Sequence, residues 1–144
     1  MVWNDKGQIC CHKFPNVHGK GDVYTLMRDT VLSGKSLSEA VAHGLKKEFG
    51  LQARLVSYLG SLVSTFTNWE GAEVQKTTLY FLCELTQIVG ERERPEELLG
   101  VESVIEWQDP QFLMERMREQ MSVWKLSDHN ESDIILRALE ARRI

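Results

Sequence analysis

The sequence predicts one α/β domain, a sandwich of helices on a mixed sheet rather than a repeating βαβ array. Three observations predict it. A capped amphipathic helix occupies 36–49, two long strand-like segments follow at 53–66 and 74–85, and a further amphipathic helix closes the chain at 131–142. No repeat, low-complexity tract or Pro/Gly-rich linker divides residues 1–144, so they read as a single domain. At 144 residues, 42% hydrophobic and 26% charged, the chain can bury a core without disulfide or metal staples.

In chain order, Asn4-Asp5-Lys6-Gly7 is a turn signal, 8–14 a strand, 16–21 a Gly-containing loop and 22–26 a short strand. In the first helix Leu37, Ala40, Val41, Leu45 and Phe49 recur at spacings of three and four and form one apolar face. Ser36 is its N-cap, Glu39 completes a capping box, and Gly50 stands where a left-handed C-terminal cap belongs. The loop 67–73 joins the two long strands into a hairpin. The stretch 91–97 reads as a solvated charged loop and 102–107 as a short strand. Asp109-Pro110 opens a helix from about 111 to 121. The last helix turns Ile134, Ile135, Leu136 and Leu139 inward, and Asp128, His129 and Glu131 place charge at its start, complementing the helix dipole.

The formal net charge is −4, which argues against broad nucleic-acid binding. No apolar run is long enough for a membrane span, and the chain is polar by residue 4, unlike a signal peptide. Cys10, Cys11 and Cys83 form no CxxC and read as small apolar residues in a reducing compartment, so the expected location is cytoplasmic.

The stretch from Tyr24 to Leu51 resembles the Nudix (MutT-like) hydrolase family. The matching pieces are Tyr24-Thr25-Leu26-Met27-Arg28-Asp29, the turn Gly34-Lys35-Ser36 and the helix end Leu45-Lys46-Lys47-Glu48-Phe49-Gly50-Leu51. Against the family pattern G-x5-E-x7-R-E-U-x-E-E-x-G-U, Leu45, Glu48, Gly50 and Leu51 match. Asp29, Lys35, His43, Gly44 and Lys47 replace the first glycine, the first glutamate, the arginine and two further glutamates. The long hairpin after the helix and the exit Glu106-Trp107-Gln108-Asp109 also look like this family, so the resemblance covers nearly the whole chain. It implies an α/β/α sandwich with a mixed, partly antiparallel sheet. The family usually has a longer strand before the Asn4–Gly7 turn; here only Met1-Val2-Trp3 precede it, so that strand is expected to be short or to begin before this sequence does.

The resemblance implies a pyrophosphohydrolase that cuts a nucleoside diphosphate linked to another group, with Mg²⁺ held by helix glutamates. Positions 44, 47 and 48 share one helical face. Here that face presents Gly44, Lys47 and Glu48, so the catalytic box is degenerate and Glu48 alone remains as catalytic or metal-ligating carboxylate. Two readings follow. One is a binding module that holds a nucleotide or nucleoside-diphosphate-linked small molecule with weak or no hydrolysis. Its contacts are drawn from Lys47, Arg28 and Lys35 for phosphate, and from Tyr24, Phe66, Trp69 and Tyr80 for stacking or lining, although core packing is the commoner use of such aromatics. The other is a divergent Mg²⁺-dependent hydrolase recruiting Glu70, Glu73, Glu97 or Glu102. Glu39, four residues from both Lys35 and His43, is placed to bridge them; drift of exposed positions is the other reading. Gly44 costs about 1 kcal/mol against alanine in mid-helix and marks close packing or close approach of a ligand. A third reading is an interaction protein, dimerising through the edge that a short first strand leaves open.

Overall fold

The computed structural model describes residues 1–124 and 131–143; Asp128, His129 and Asn130 lie outside them. The elements run β1 (Val2–Trp3), β2 (Ile9–Phe14), β3 (Val23–Thr25), α1 (Leu37–Phe49), β4 (Leu51–Thr67), β5 (Glu73–Ile88), β6 (Glu97–Leu98), β7 (Val101–Glu102), β8 (Val104–Gln108), α2 (Pro110–Trp124) and α3 (Ser132–Arg142). The main sheet has the order β3-β2-β1-β5-β4, with β8 paired to β2; β6 and β7 form a separate small hairpin. The sheet is mixed because β1 runs parallel to β5, whereas its other pairings are antiparallel.

Strand alternation assigns each side chain to a layer. Val2, Cys10 and Cys83 face one way and pack with Leu45, Phe49 and Leu51 of α1 and its exit. Trp3, Ile9, Cys11 and Leu82 face the other way, against Leu113, Met114 and Met117 of α2 and Ile134, Ile135 and Ala138 of α3. Two helical layers on one sheet make an α/β/α sandwich. His12 has the parity of Cys10 and therefore points toward α1, which decides its partner below. Burial raises the thiols of all three cysteines, that of Cys10 to about 12, as expected for inert core residues.

The ends of α1 are set locally. Ser36 Oγ accepts the Glu39 amide at 3.2 Å and donates to Glu39 Oε1 at 3.0 Å, so Ser36 caps the helix, but Glu39 binds the Ser36 hydroxyl instead of the backbone N–H that a capping box would use. Glu39 thus turns to Ser36 rather than bridging Lys35 and His43. Gly50 ends the helix at φ 63°, where a Cβ would also strike the Gly90 carbonyl, so glycine is required twice over. Ser36→Ala is expected to cost about 1 kcal/mol, read as a shift in the urea midpoint at unchanged m-value. A loss below a few tenths of a kcal/mol would show that the cap is dispensable.

Two expectations change in three dimensions. In α3 it is Ala138 that is buried, while Leu136 is exposed, because the helix is rotated to present Ile134, Ile135 and Ala138 to the sheet. The short β1 is not at the rim: it lies between β2 and β5, and β4 ends the sheet. β1 pairs only with Cys83 and Glu84 of β5. The run of β5 before that pairing has no strand on this side among the described residues, and its Lys76, Thr77, Thr78, Leu79, Tyr80 and Phe81 line a cleft.

Candidate functional site

That cleft, about 820 Å³, is walled by β5, the exit of β3 from Leu26 to Val31, and the face of α1 that carries Val41, Leu45 and Glu48, with Arg94 and Glu97 contributed by the segment after β5. Of the residues singled out from sequence, Glu48, Lys47, Arg28 and Tyr80 line it. Tyr24, Lys35, Phe66 and Trp69 do not. Tyr24 is core, its ring edge-on to Phe112 at 5.5 Å, because Gln120 of α2 brackets its backbone N–H and C=O at 2.8 and 2.7 Å. Lys35 is exposed in the loop before α1. Phe66 and Trp69 belong to the far end of the hairpin, where Trp69 is 92% exposed on a turn held by the Asn68 side chain. Of the carboxylates proposed for recruitment, only Glu97 lines the cleft.

Glu48 is 5% exposed and its Oε1 lies 3.1 Å from His12 Nε2. His12 Nδ1 lies 3.0 Å from Ser103 Oγ, and Arg92 donates from Nη1 to the same Oγ at 2.9 Å and from Nη2 to the Ser103 carbonyl. The directions follow from donor inventory. Arg92 only donates, so Ser103 Oγ accepts from it, and the same hydroxyl, which can also give a hydrogen, meets His12 Nδ1. The Glu48 carboxylate only accepts, so His12 Nε2 donates to it. The chain Arg92–Ser103–His12–Glu48 leads from the 89–96 segment to the cleft wall. That segment is fastened to α1 by Glu93 N–H donating to the Lys47 carbonyl at 3.0 Å. Arg92 is therefore structural rather than part of a fully solvated charged loop.

Four of the five departures from the family pattern, all but Lys35, cluster around Asp29. Asp29 lies 3.5 Å from His43 Nδ1 and 3.9 Å from Lys47 Nζ. Its Cβ would be 3.1 Å from a Cβ at position 44, with Met27 Sδ at 3.2 Å. Gly44 is thus glycine because the 27–29 segment packs directly onto α1. Asp29, where the family has glycine, occupies the space that a side chain at 44 would need. Both ion pairs are part-exposed and contribute about 0.5 kcal/mol each. Lys47 is nonetheless held by Asp29.

Glu131 forms a second buried centre. It is 2% exposed, so its role is not solvated complementing of the helix dipole. Its Oε1 accepts the Leu26 amide at 3.1 Å; its Oε2 accepts Tyr80 Oη at 2.7 Å and Arg28 Nε at 3.1 Å. Burial and the nearby Glu131 charge push the Tyr80 phenol up, above its ordinary range. Burial opposes the Arg28 charge, but the Glu131 charge and hydrogen bond outweigh it and leave Arg28 raised. This centre ties α3, β5 and the exit of β3 together under the cleft.

Sequence reasoning passed over His12, Ser103 and Arg92. The available signal was His12 itself, the one polar side chain on the Cys10–Phe14 face of β2.

A Mg²⁺ ion needs several oxygen ligands in near-octahedral array. The residues do not fit it. Glu48 is the only carboxylate on its helical face, one of its oxygens is engaged by His12, and the Lys47 ammonium is its chain neighbour. No group of three His, Cys, Asp or Glu side chains among the described residues is arranged to hold a metal. The cleft side chains include five carboxylates (Asp29, Glu48, Glu96, Glu97, Glu131) and four cations (Arg28, Lys47, Lys76, Arg94), so a diphosphate meets no excess of positive charge. Among the described residues, Lys76 and Arg94 are the cleft cations with no carboxylate partner within ion-pair distance.

No family model matches the sequence, and neither does any curated protein. Solved structures do match. The chain is similar to the solution structure of the E. coli ORF135 protein, with TM-score 0.60, 13% identity, and coverage of 99% of this chain and 86% of that one. It is also similar to the crystal structure of the MutT protein from Methanosarcina mazei Go1, with TM-score 0.56, 14% identity, and coverage of 100% and 91%. At such identities the likeness concerns fold alone, and the fold is the Nudix-like α/β sandwich. Among the described residues no helix is long and apolar enough to cross a membrane.

Proposed function

We propose that this chain binds a nucleotide or nucleoside-diphosphate-linked small molecule in the cleft and does not hydrolyse it by the Mg²⁺ route. The observation that carries this reading is the state of Glu48: the one carboxylate of its helical face is bound to His12, and a side chain at position 44 would press on Asp29 and Met27. The cleft itself is deep, has an apolar wall from Leu26, Val41, Leu45, Leu79 and Phe81, and carries Lys76 and Arg94 for a phosphate. Its size and lining support a ligand pocket.

The test is a thermal-shift screen of nucleotides, nucleotide sugars and dinucleotides with and without Mg²⁺. Stabilisation without metal is the expected result, worth about 2.7 kcal/mol when ligand stands at a hundred times Kd. Mg²⁺-dependent turnover abolished by Glu48→Gln would overturn the proposal. It would favour the divergent hydrolase, for which the placement of Glu97 in the cleft is the supporting observation.

A further inference from the structure

Glu48 has two carboxylate oxygens and only one is used. Oε1 meets His12 Nε2. Oε2 accepts no hydrogen bond from the described residues, and it is not among the fully enclosed unpartnered atoms, of which Trp3 Nε1 is the only one. Glu48 is otherwise 95% out of solvent and lines the cleft. A carboxylate oxygen so placed calls for a donor, because an unsatisfied acceptor in a poorly hydrated site is costly.

The His12 relay fixes which atom is offered. Arg92, Ser103 and His12 hold Oε1, which leaves Oε2 as the open acceptor of a residue that lines the cleft. The cleft residues that precede Glu48 by one and two turns on α1, Leu45 and Val41, are apolar, as is Phe14, the next cleft residue on the His12 face of β2. An acceptor with negative charge among apolar walls repels phosphate and suits a flat molecule bearing an N–H donor better than a polyhydroxylated sugar.

We infer that Glu48 Oε2 is the base-recognition point of the cleft, accepting a hydrogen bond from the exocyclic amino group of a nucleobase. The helix carboxylate serves ligand selection instead of metal binding. This rests on the proposed nucleotide-like ligand and adds which part of it is read and by which atom. Glu48 binds ligand directly; His12, Ser103 and Arg92 are positioning residues that act through it.

Isothermal titration calorimetry without metal tests the assignment. Adenosine and cytidine are compared with their des-amino analogues, purine riboside and pyrimidin-2-one riboside. In at least one pair the amino compound is expected to bind tenfold or more tightly, the scale of one hydrogen bond to a charged group. In Glu48→Gln the amide keeps its oxygen for His12 and turns its NH₂ to the cleft, so the preference shrinks to threefold or less. Circular dichroism and a melting curve establish that the variant is folded, and the wild-type pairs do not depend on it. Binding of both members of each pair within threefold would overturn the Glu48 assignment and leave the nucleotide reading standing. Binding only of diphosphates with Mg²⁺, or no binding of any nucleoside or nucleotide, would overturn both.

Discussion

Glu131→Gln is expected to destabilise the protein by about 3 kcal/mol, a fall in melting temperature of roughly 10 °C for a chain of this size. The two carboxylate oxygens take three donors: the Leu26 amide, the Tyr80 hydroxyl and the Arg28 guanidinium. A glutamine supplies one oxygen and an NH₂ group that only donates. At least one donor must then face another, and Arg28 loses the carboxylate at 3.1 Å. The same change loosens the β3 exit where it forms the cleft. Tyr80→Phe removes one donor to Glu131 and one contact to Arg28 but leaves the carboxylate to hold Arg28, and should cost only about 1 kcal/mol. Chemical denaturation of the three proteins decides the matter. A Glu131→Gln loss no larger than that of Tyr80→Phe would show that the centre is better hydrated than its 2% exposure indicates.

His12→Leu should cost on the order of 4 kcal/mol, because it leaves the buried Glu48 carboxylate without its donor. His12 also stacks at 4.7 Å on Phe49, a contact that leucine largely restores. Glu48→Gln should cost less, since the amide oxygen still accepts from Nε2. The pair His12→Leu with Glu48→Leu should recover much of the loss, because an apolar pair of similar volume leaves nothing unsatisfied between them. A double-mutant cycle therefore predicts a coupling of about 2 kcal/mol or more. Additive losses would mean that the two side chains do not depend on each other.

These two centres tie the Nudix-like sandwich together on either side of the cleft. Leu45, Gly50 and Leu51 keep α1 packed and terminated. The chemistry positions 29, 43, 44 and 47 form one local cluster in which Asp29 fills the room above Gly44 and pairs with both basic side chains. Reinstating a glutamate at 44 is consequently more than a single substitution: its Cβ would press on Asp29 and Met27.

Much of this was legible in the sequence. Period-3.6 and period-2 patterns, Ser36, Gly50 and the Asp109-Pro110 start are local signals, fixed by backbone sterics and capping. They sufficed for the order of the main elements and the α/β class. The aromatic candidates show the limit. Tyr24, Tyr80, Phe66 and Trp69 look equivalent along the chain, yet only Tyr80 reaches the cleft.

Tertiary structure alone decided the partners. His12 and Glu48 are 36 residues apart, Ser103 is 91 from His12, and Glu131 reaches Leu26 across 105. Such meetings depend on sheet order and on which face each strand turns to α1, neither of which local periodicity encodes. The sequence determined that Glu48 stands on its helical face beside Gly44 and Lys47 rather than beside other carboxylates. The fold determined that His12 takes one of its oxygens and that the other is left to the cleft, because strand parity and helix rotation set that contact only once the layers have packed.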